Sequence, residues 1–356
     1  MRTTLARLVA LGLLLAACSG DGGAEASTTT QPATTSSSPT STTTTSTTST
    51  TVDSRPTSLV NGLPVDDPSL LDRRVLAVKI DNHPRSTPQS GIEKADMVME
   101  VLVEGITRFI TIWHESDSDY LGPMRSGRPT DASLLPAFNN PTFAISGGQA
   151  WVQNVILGNG IPLIKELSEG TFRISGRRAP HNLYVDTFVL RETADSRDYP
   201  DDPPDGAIWQ FGEMRDNAPT AGSVTIDFAG NTVVWTWDAD QGMWLRTAYG
   251  EDSMYVDEEG NSQRIAVPVM VALFVEPYTA SPGGGQSGTD LPSSRTTGSG
   301  KAYVFAQGRV AEGTWERENE TDWFILTDAA GEVIPVPPGK VWVSLVPSTR
   351  GLTIGD

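Results

Sequence analysis

The chain has 356 residues, a formal charge of -18 at pH 7 and one cysteine. That charge argues against nucleic acid and against a bare anionic membrane surface as partners. A single thiol cannot form an internal disulfide, so the folded part must be held by its core, and the roughly 300 residues from Pro56 onward suffice for two domains of ordinary size.

In chain order, residues 1–17 carry Arg2 and Arg7 ahead of the apolar run Leu8 to Ala17, and Cys18 follows. This is the layout of a secretory signal peptide, too short to span a bilayer as a mature helix. Leu15-Ala16-Ala17-Cys18 matches a lipobox, so Cys18 is expected to carry lipid, palmitate included, and to tether an extracytoplasmic protein to the cell membrane. The alternative is a plain secretory signal with an incidental cysteine. Ser27 to Thr51 holds 21 Ser or Thr among 25 residues. It offers no apolar surface to bury, so residues 18–55 read as a lipidated cysteine followed by a disordered stalk.

The first globular half, residues 56–198, opens with the apolar run Val75 to Ile80, which reads as a buried strand. Met97 to Val103 and Ile106 to Trp113 are further strands, with Gly105 as the turn between them. Asp131 to Phe138, Gln149 to Leu157 and Thr187 to Ala194 read as helices, the last with Thr187 as N-cap. Pro141 to Ser146 reads as a strand. Tyr199 to Gly206, YPDDPPDG, continues neither helix nor central strand and opens a Pro-rich linker over residues 199–221. From residue 222 to 356 the pattern is short strands with Asp-x-x-Gly turns at Asp227/Gly230, Asp257/Gly260 and Asp328/Gly331. Ser281 to Gly300 reads as a disordered loop of that domain. The fold class expected is therefore α+β: a mixed α/β domain on one sheet, then a mostly β domain.

Charge is uneven. Residues 56–190 hold 15 acidic and 12 basic side chains, whereas 191–356 hold 26 and 11. No metalloprotease, nucleophile-elbow, paired-cysteine, P-loop or dinucleotide signature is present. All three histidines lie in the near-neutral half, in Asp81-Asn82-His83-Pro84-Arg85, Trp113-His114-Glu115 and Ala179-Pro180-His181-Asn182. Strands ending in such residues deliver them to a sheet rim. The alternative for Asp81 and Asn82 is a turn that bonds nearby amides, and His114 reads as a satisfied core histidine. Zinc would accept His83, His114, His181 and Asp81, but no spacing supports it, so neither metal nor cofactor is expected.

Arg108, Arg125 and Arg128, with Arg177 and Arg178, form a second constellation able to grip an anion bidentately. They could instead pair internally with Glu100, Glu104 and Asp131. Ser146-Gly147-Gly148, ahead of the second helix, could add backbone amides.

The strings Ile80-Asp81-Asn82-His83-Pro84-Arg85, Glu104-Gly105-Ile106-Thr107-Arg108, Gly122-Pro123-Met124-Arg125-Ser126 and Ala179-Pro180-His181-Asn182-Leu183-Tyr184 resemble the YerB-like lipoproteins. So does Pro338-Gly339-Lys340-Val341-Trp342 near the C-terminus. The resemblance spans Asn61 to Pro347 and departs at Gly105, where the family often has two glycines. It implies a two-domain architecture and an envelope location, and it supplies no substrate.

The expectation is an envelope lipoprotein whose first domain binds a polar anionic ligand of the cell wall or periplasm. The candidate contacts are Asp81, Asn82, His83, Arg85, Glu104, Arg108, Arg125, Arg128, His181 and Asn182. Asp81, His83, Arg108, Arg125 and His181 should then line one concave surface. Two alternatives are an envelope hydrolase or transferase using a His/Asp/Arg site, and a scaffold docking another envelope protein through its tryptophans.

Overall fold

Val75 to Ile80 is apolar except for Lys79 and builds β1 (Leu76–Ile80), every residue of which is buried. The computed structural model describes residues 53–356; the expected signal peptide, Cys18 and the Ser/Thr tract lie outside the described residues. β2 (Met97–Leu102) and β3 (Thr107–Trp113) form an antiparallel hairpin around Gly105, and β3 also pairs antiparallel with β1. β4 (Thr142–Ile145) and β5 (Leu163–Lys165) extend the sheet in parallel on the other side of β1. α1 (Pro129–Leu134) stops where Pro136, lacking an N–H, turns the chain into a 3-10 segment, Leu135–Phe138. α2 (Ala150–Gly158) follows β4. β6 (Thr171–Arg173) and β7 (Leu183–Val185) form a small hairpin before α3 (Thr187–Ser196). Asp186 caps α3, its carboxylate accepting from the amides of Phe188 and Val189. This displaces the expected N-cap by one residue, since Asp caps better than Thr.

The second half is mostly β. β8 (Ser223–Asp227), β9 (Thr232–Asp238) and β10 (Met243–Ala248) form an antiparallel meander whose turns are the Asp-x-x-Gly and Asp-Gln-Gly sites. The short β11 (Glu251–Asp252), β12 (Met254–Val256), β13 (Ser262–Arg264) and β14 (Ala266–Val267) lead to β15 (Val269–Ala280). β16 (Leu291–Arg295), β17 (Gly298–Ala306), β18 (Arg309–Arg317), β19 (Ile325–Thr327), β20 (Val341–Pro347) and β21 (Leu352–Gly355) complete the chain. β16 corrects the expectation of a disordered 281–300 loop. It pairs with β15 from Glu276↔Arg295 to Ala280↔Leu291, and Thr289 bonds Gln149. Composition hid this strand because Leu291-Pro292-Ser293-Ser294-Arg295 is mostly polar and is seated by α1, Thr130 Oγ1 accepting from the Ser294 N–H at 3.1 Å.

The two halves share one 11-stranded sheet, in the order β19-β18-β17-β15-β20-β2-β3-β1-β4-β5, with β16 on β15. The junction is β20, which runs parallel to both β15 and β2. Alternation along the strands sends Ala77, Met99 and Ile110 to the face covered by α1 and α2. It sends Val78, Val98 and Phe109 to the face covered by α3 and the β8–β10 meander. Of the tryptophans expected at strand positions for a docking face, Trp235, Trp244, Trp315, Trp323 and Trp342 are buried in the core and Trp237 is half-buried. Among the described residues, no helix is long and apolar enough to cross a membrane.

Candidate functional site

Three segments meet at the C-terminal end of β1. The strap Gly122–Ser126 lies beside it, with Asp81 N–H donating to Pro123 O at 2.9 Å and Arg125 N–H to Lys79 O at 2.7 Å. The same strap takes β7 on its other side through Met124 N–H to Leu183 O, 2.6 Å. Asp81, Arg125 and His181 are thereby carried to one place by neighbouring backbones.

Asp81 is fully buried. Its Oδ2 accepts from His181 Nδ1 at 2.7 Å, and its Oδ1 accepts from the His83 amide at 3.1 Å. Arg125 Nε stands 3.3 Å from Oδ2, an ion pair without hydrogen-bond alignment. The His83 and His181 rings stack with centroids 5.0 Å apart, and His83 Nδ1 accepts from the Arg85 amide. Burial, and after it the nearby His181, holds the His83 pKa below its ordinary value. Side-chain exposure is 13% for His181 and 23% for Arg125. Of the five residues expected to line one concave surface, His83, Arg125 and His181 gather together, and Asp81 joins them from beneath, fully buried.

Arg108 stands with Arg128 in an adjoining group. Arg128 Nη2 meets Glu104 Oε1 at 2.7 Å, while Arg108 Nη1 and Arg128 Nη1 both donate to Ser126 O, at 3.0 and 3.5 Å. Burial, then the charge of Arg128, pushes the Arg108 pKa down to about 10. The Glu104 turn is braced by the second half: a Cβ on Gly230 would sit 1.7 Å from Gly105 O, a closeness that only glycine permits. Ser146-Gly147-Gly148 supports the strap, Ser146 O accepting from Ser126 Oγ and Gly147 O from Gly127 N–H.

Of the internal acid partners expected for the arginines, Glu104 does pair with Arg128, whereas Asp131 and Glu100 pair elsewhere. Asp131 pairs with Lys79 at 2.5 Å, both fully buried, and burial pushes Lys79 down to about 8. Glu100 pairs with Arg246 at 2.7 Å, accepts from Thr107 Oγ1 at 2.7 Å, and accepts from Trp342 Nε1 at 3.1 Å. Arg246 also lies 5.3 Å from the Phe109 and Trp342 ring centroids. Lys79 could have been noticed as the cation inside an apolar strand; Arg246 could not, because its partner is 146 residues away.

The remaining candidates have structural roles. Asn82 is buried, donating to Thr107 Oγ1 and accepting from Gln89 Nε2, and so links the site loop to the Glu100 network. Asn182 ties its own loop together through Arg173, Ile174 O and Arg177 O. Arg85 is exposed and contributes its amide to His83. His114 lies at the far end of the sheet, because β1 and β3 are antiparallel and Leu76 faces Trp113. There it is buried against Glu115 and Arg73 O, so the strand ends at Asp81 and His114 do not share a rim.

Comparison with known proteins places residues 60–200 in the N-terminal domain, and residues 224–343 in the C-terminal domain, of the protein of unknown function DUF3048. The chain is 25% identical over 292 residues to "Putative lipoprotein YerB" of Bacillus subtilis (strain 168), covering 80% of this chain and 84% of that one. The crystal structure of the Bacillus subtilis YerB protein matches with a TM-score of 0.71 at 23% identity, covering 84% of this chain and all of that one.

Proposed function

The chain belongs to the YerB-like DUF3048 family, and from that premise we propose that it is an envelope lipoprotein, anchored through Cys18, whose N-terminal half binds a polar anionic ligand. The lipoprotein name of the Bacillus relative supports the anchor, as does Leu15-Ala16-Ala17-Cys18 in this chain. The observation that carries the ligand reading is the convergence of Arg125, His83 and His181 around the buried Asp81 carboxylate. The Arg125 guanidinium and the His83 Nε2–H, partly open to solvent and held from behind, form a donor set suited to phosphate or carboxylate, and His181 adds an Nε2–H to it in its imidazolium form. The lone carboxylate orients these groups, and it leaves donor positions free for a ligand.

A second reading, hydrolysis, is favoured by the Asp81–His181 hydrogen bond, which fixes Nδ1 as the donor and leaves Nε2 as the other ring position. That is the arrangement of an oriented general base. Among the described residues no Ser or Thr hydroxyl is bonded to His181, so such chemistry would activate water.

The test uses the three histidines as reporters. On titration with inorganic phosphate, and separately with acetate, the Cε1–H NMR signals of His83 and His181 should shift while that of His114 stays. Unmoved His83 and His181 signals with both anions, or an equal shift at His114, would remove the reading.

A further inference from the structure

We infer that Arg108 and Arg128 form a second anion subsite adjoining Arg125, currently filled by the chain's own Glu104 carboxylate, so that the ligand carries two neighbouring anionic groups of the diphosphate type. This rests on the anion-site reading of Arg125 and His181 and extends it.

Arg108 is only 5% exposed, its Nε has no hydrogen-bond partner, and no carboxylate among the described residues pairs with it. Arg128 Nε is likewise unpartnered, and its one acid is Glu104. The two guanidiniums meet at neighbouring carbonyls of the strap: Arg108 Nη1 donates to Ser126 O at 3.0 Å, and Arg128 Nη1 donates to Gly127 O at 2.8 Å with a longer 3.5 Å contact to Ser126 O. Bringing like charges together away from water is costly unless an anion compensates them. Arg108 holds the strap at Ser126 O, the residue after Arg125, and the Arg125 and Asp81 charges both act on its guanidinium.

Glu104 has the properties of a displaceable stand-in. Its side chain is 40% exposed, and it sits on the turn beside Gly105, so it can swing out into solvent without moving the buried strands. A structural ion pair would have no need of the unpaired Arg108 behind it. An incoming phosphoryl group can take over Arg128 and supply Arg108 as well, while its neighbour rests on Arg125 and His181. Guanidinium forks match phosphoryl oxygens bidentately.

The experiment compares orthophosphate and pyrophosphate by calorimetry in metal-free buffer, with the full soluble domain, and reads the ratio of their affinities. Glu104→Gln should raise the preference for pyrophosphate by roughly tenfold, and Arg128→Gln should bring it close to one, where tenfold is about 1.4 kcal/mol. Thermal unfolding confirms that both variants fold. A ratio unchanged by both substitutions, with orthophosphate still bound, overturns the second subsite and leaves the Arg125 site standing. Failure to bind either anion overturns the underlying reading and this inference together. Vesicles carrying farnesyl diphosphate then separate the sources. Tighter binding to the vesicles identifies a lipid-borne diphosphate, tighter binding of free pyrophosphate identifies a soluble one, and both support the subsite.

Discussion

Asp81 and His181 lie 100 residues apart in the chain and meet through a 2.7 Å hydrogen bond. Their closeness follows from backbone order: β1, the strap Gly122–Ser126 and β7 run side by side, so the residues at their ends arrive together. Asp81 also receives the His83 amide, and the two imidazoles stack.

The pH behaviour of His83 follows from that packing. Burial, then the charge of His181, lowers its pKa from 6.5 in the folded state. As pH falls below 6.5 the unfolded chain takes up this proton before the folded one does, so His83 subtracts stability on acidification, and its contribution returns as pH rises through the window. An NMR titration should find His83 below 6.5, with anion binding strengthening once it is charged. A midpoint at or above the ordinary value would mean that the ring is neither desolvated nor opposed by His181.

Lys79 and Asp131 are a structural pair, sealed between β1 and α1. Lys79→Met should cost about 3–5 kcal/mol, because it leaves a buried carboxylate without its cation. Adding Asp131→Asn should recover a large part of that loss, while the amide oxygen can still accept from the Arg128 N–H at the start of α1. Additive losses in chemical denaturation would show that the two side chains do not act as a pair.

Much of this was legible in the sequence. The apolar runs located β1 to β4, and the Asp-x-x-Gly turns located the meander of the second half. Asp81 was marked because it follows directly on the apolar run of β1, whereas Arg125 and His181 were marked only by their residue types and the strings they share with the YerB-like lipoproteins. What stayed hidden was set by long-range pairing: the insertion of β20 between β15 and β2, and the Glu100–Arg246 contact across the two halves. The antiparallel sense of β1 and β3, which sends His114 to the opposite end, is likewise decided by the sheet and not by either strand alone.

The anchor makes its own prediction. Cys18→Ala should release the protein from the membrane fraction or leave it as an unprocessed precursor, as seen by fractionation and intact-mass analysis. A variant that is still processed and membrane-bound would refute attachment through Cys18.

The most direct test of the account is Arg125→Ala, read in parallel by phosphate calorimetry and thermal unfolding. Arg125 is partly exposed, and Asp81 keeps its bonds from His181 and the His83 amide without it. Binding should therefore weaken by about 2–4 kcal/mol, with a melting temperature within about 2 °C of the parent. Unchanged phosphate affinity, or a domain that unfolds, would contradict the claim that Arg125 serves an external anion at this site.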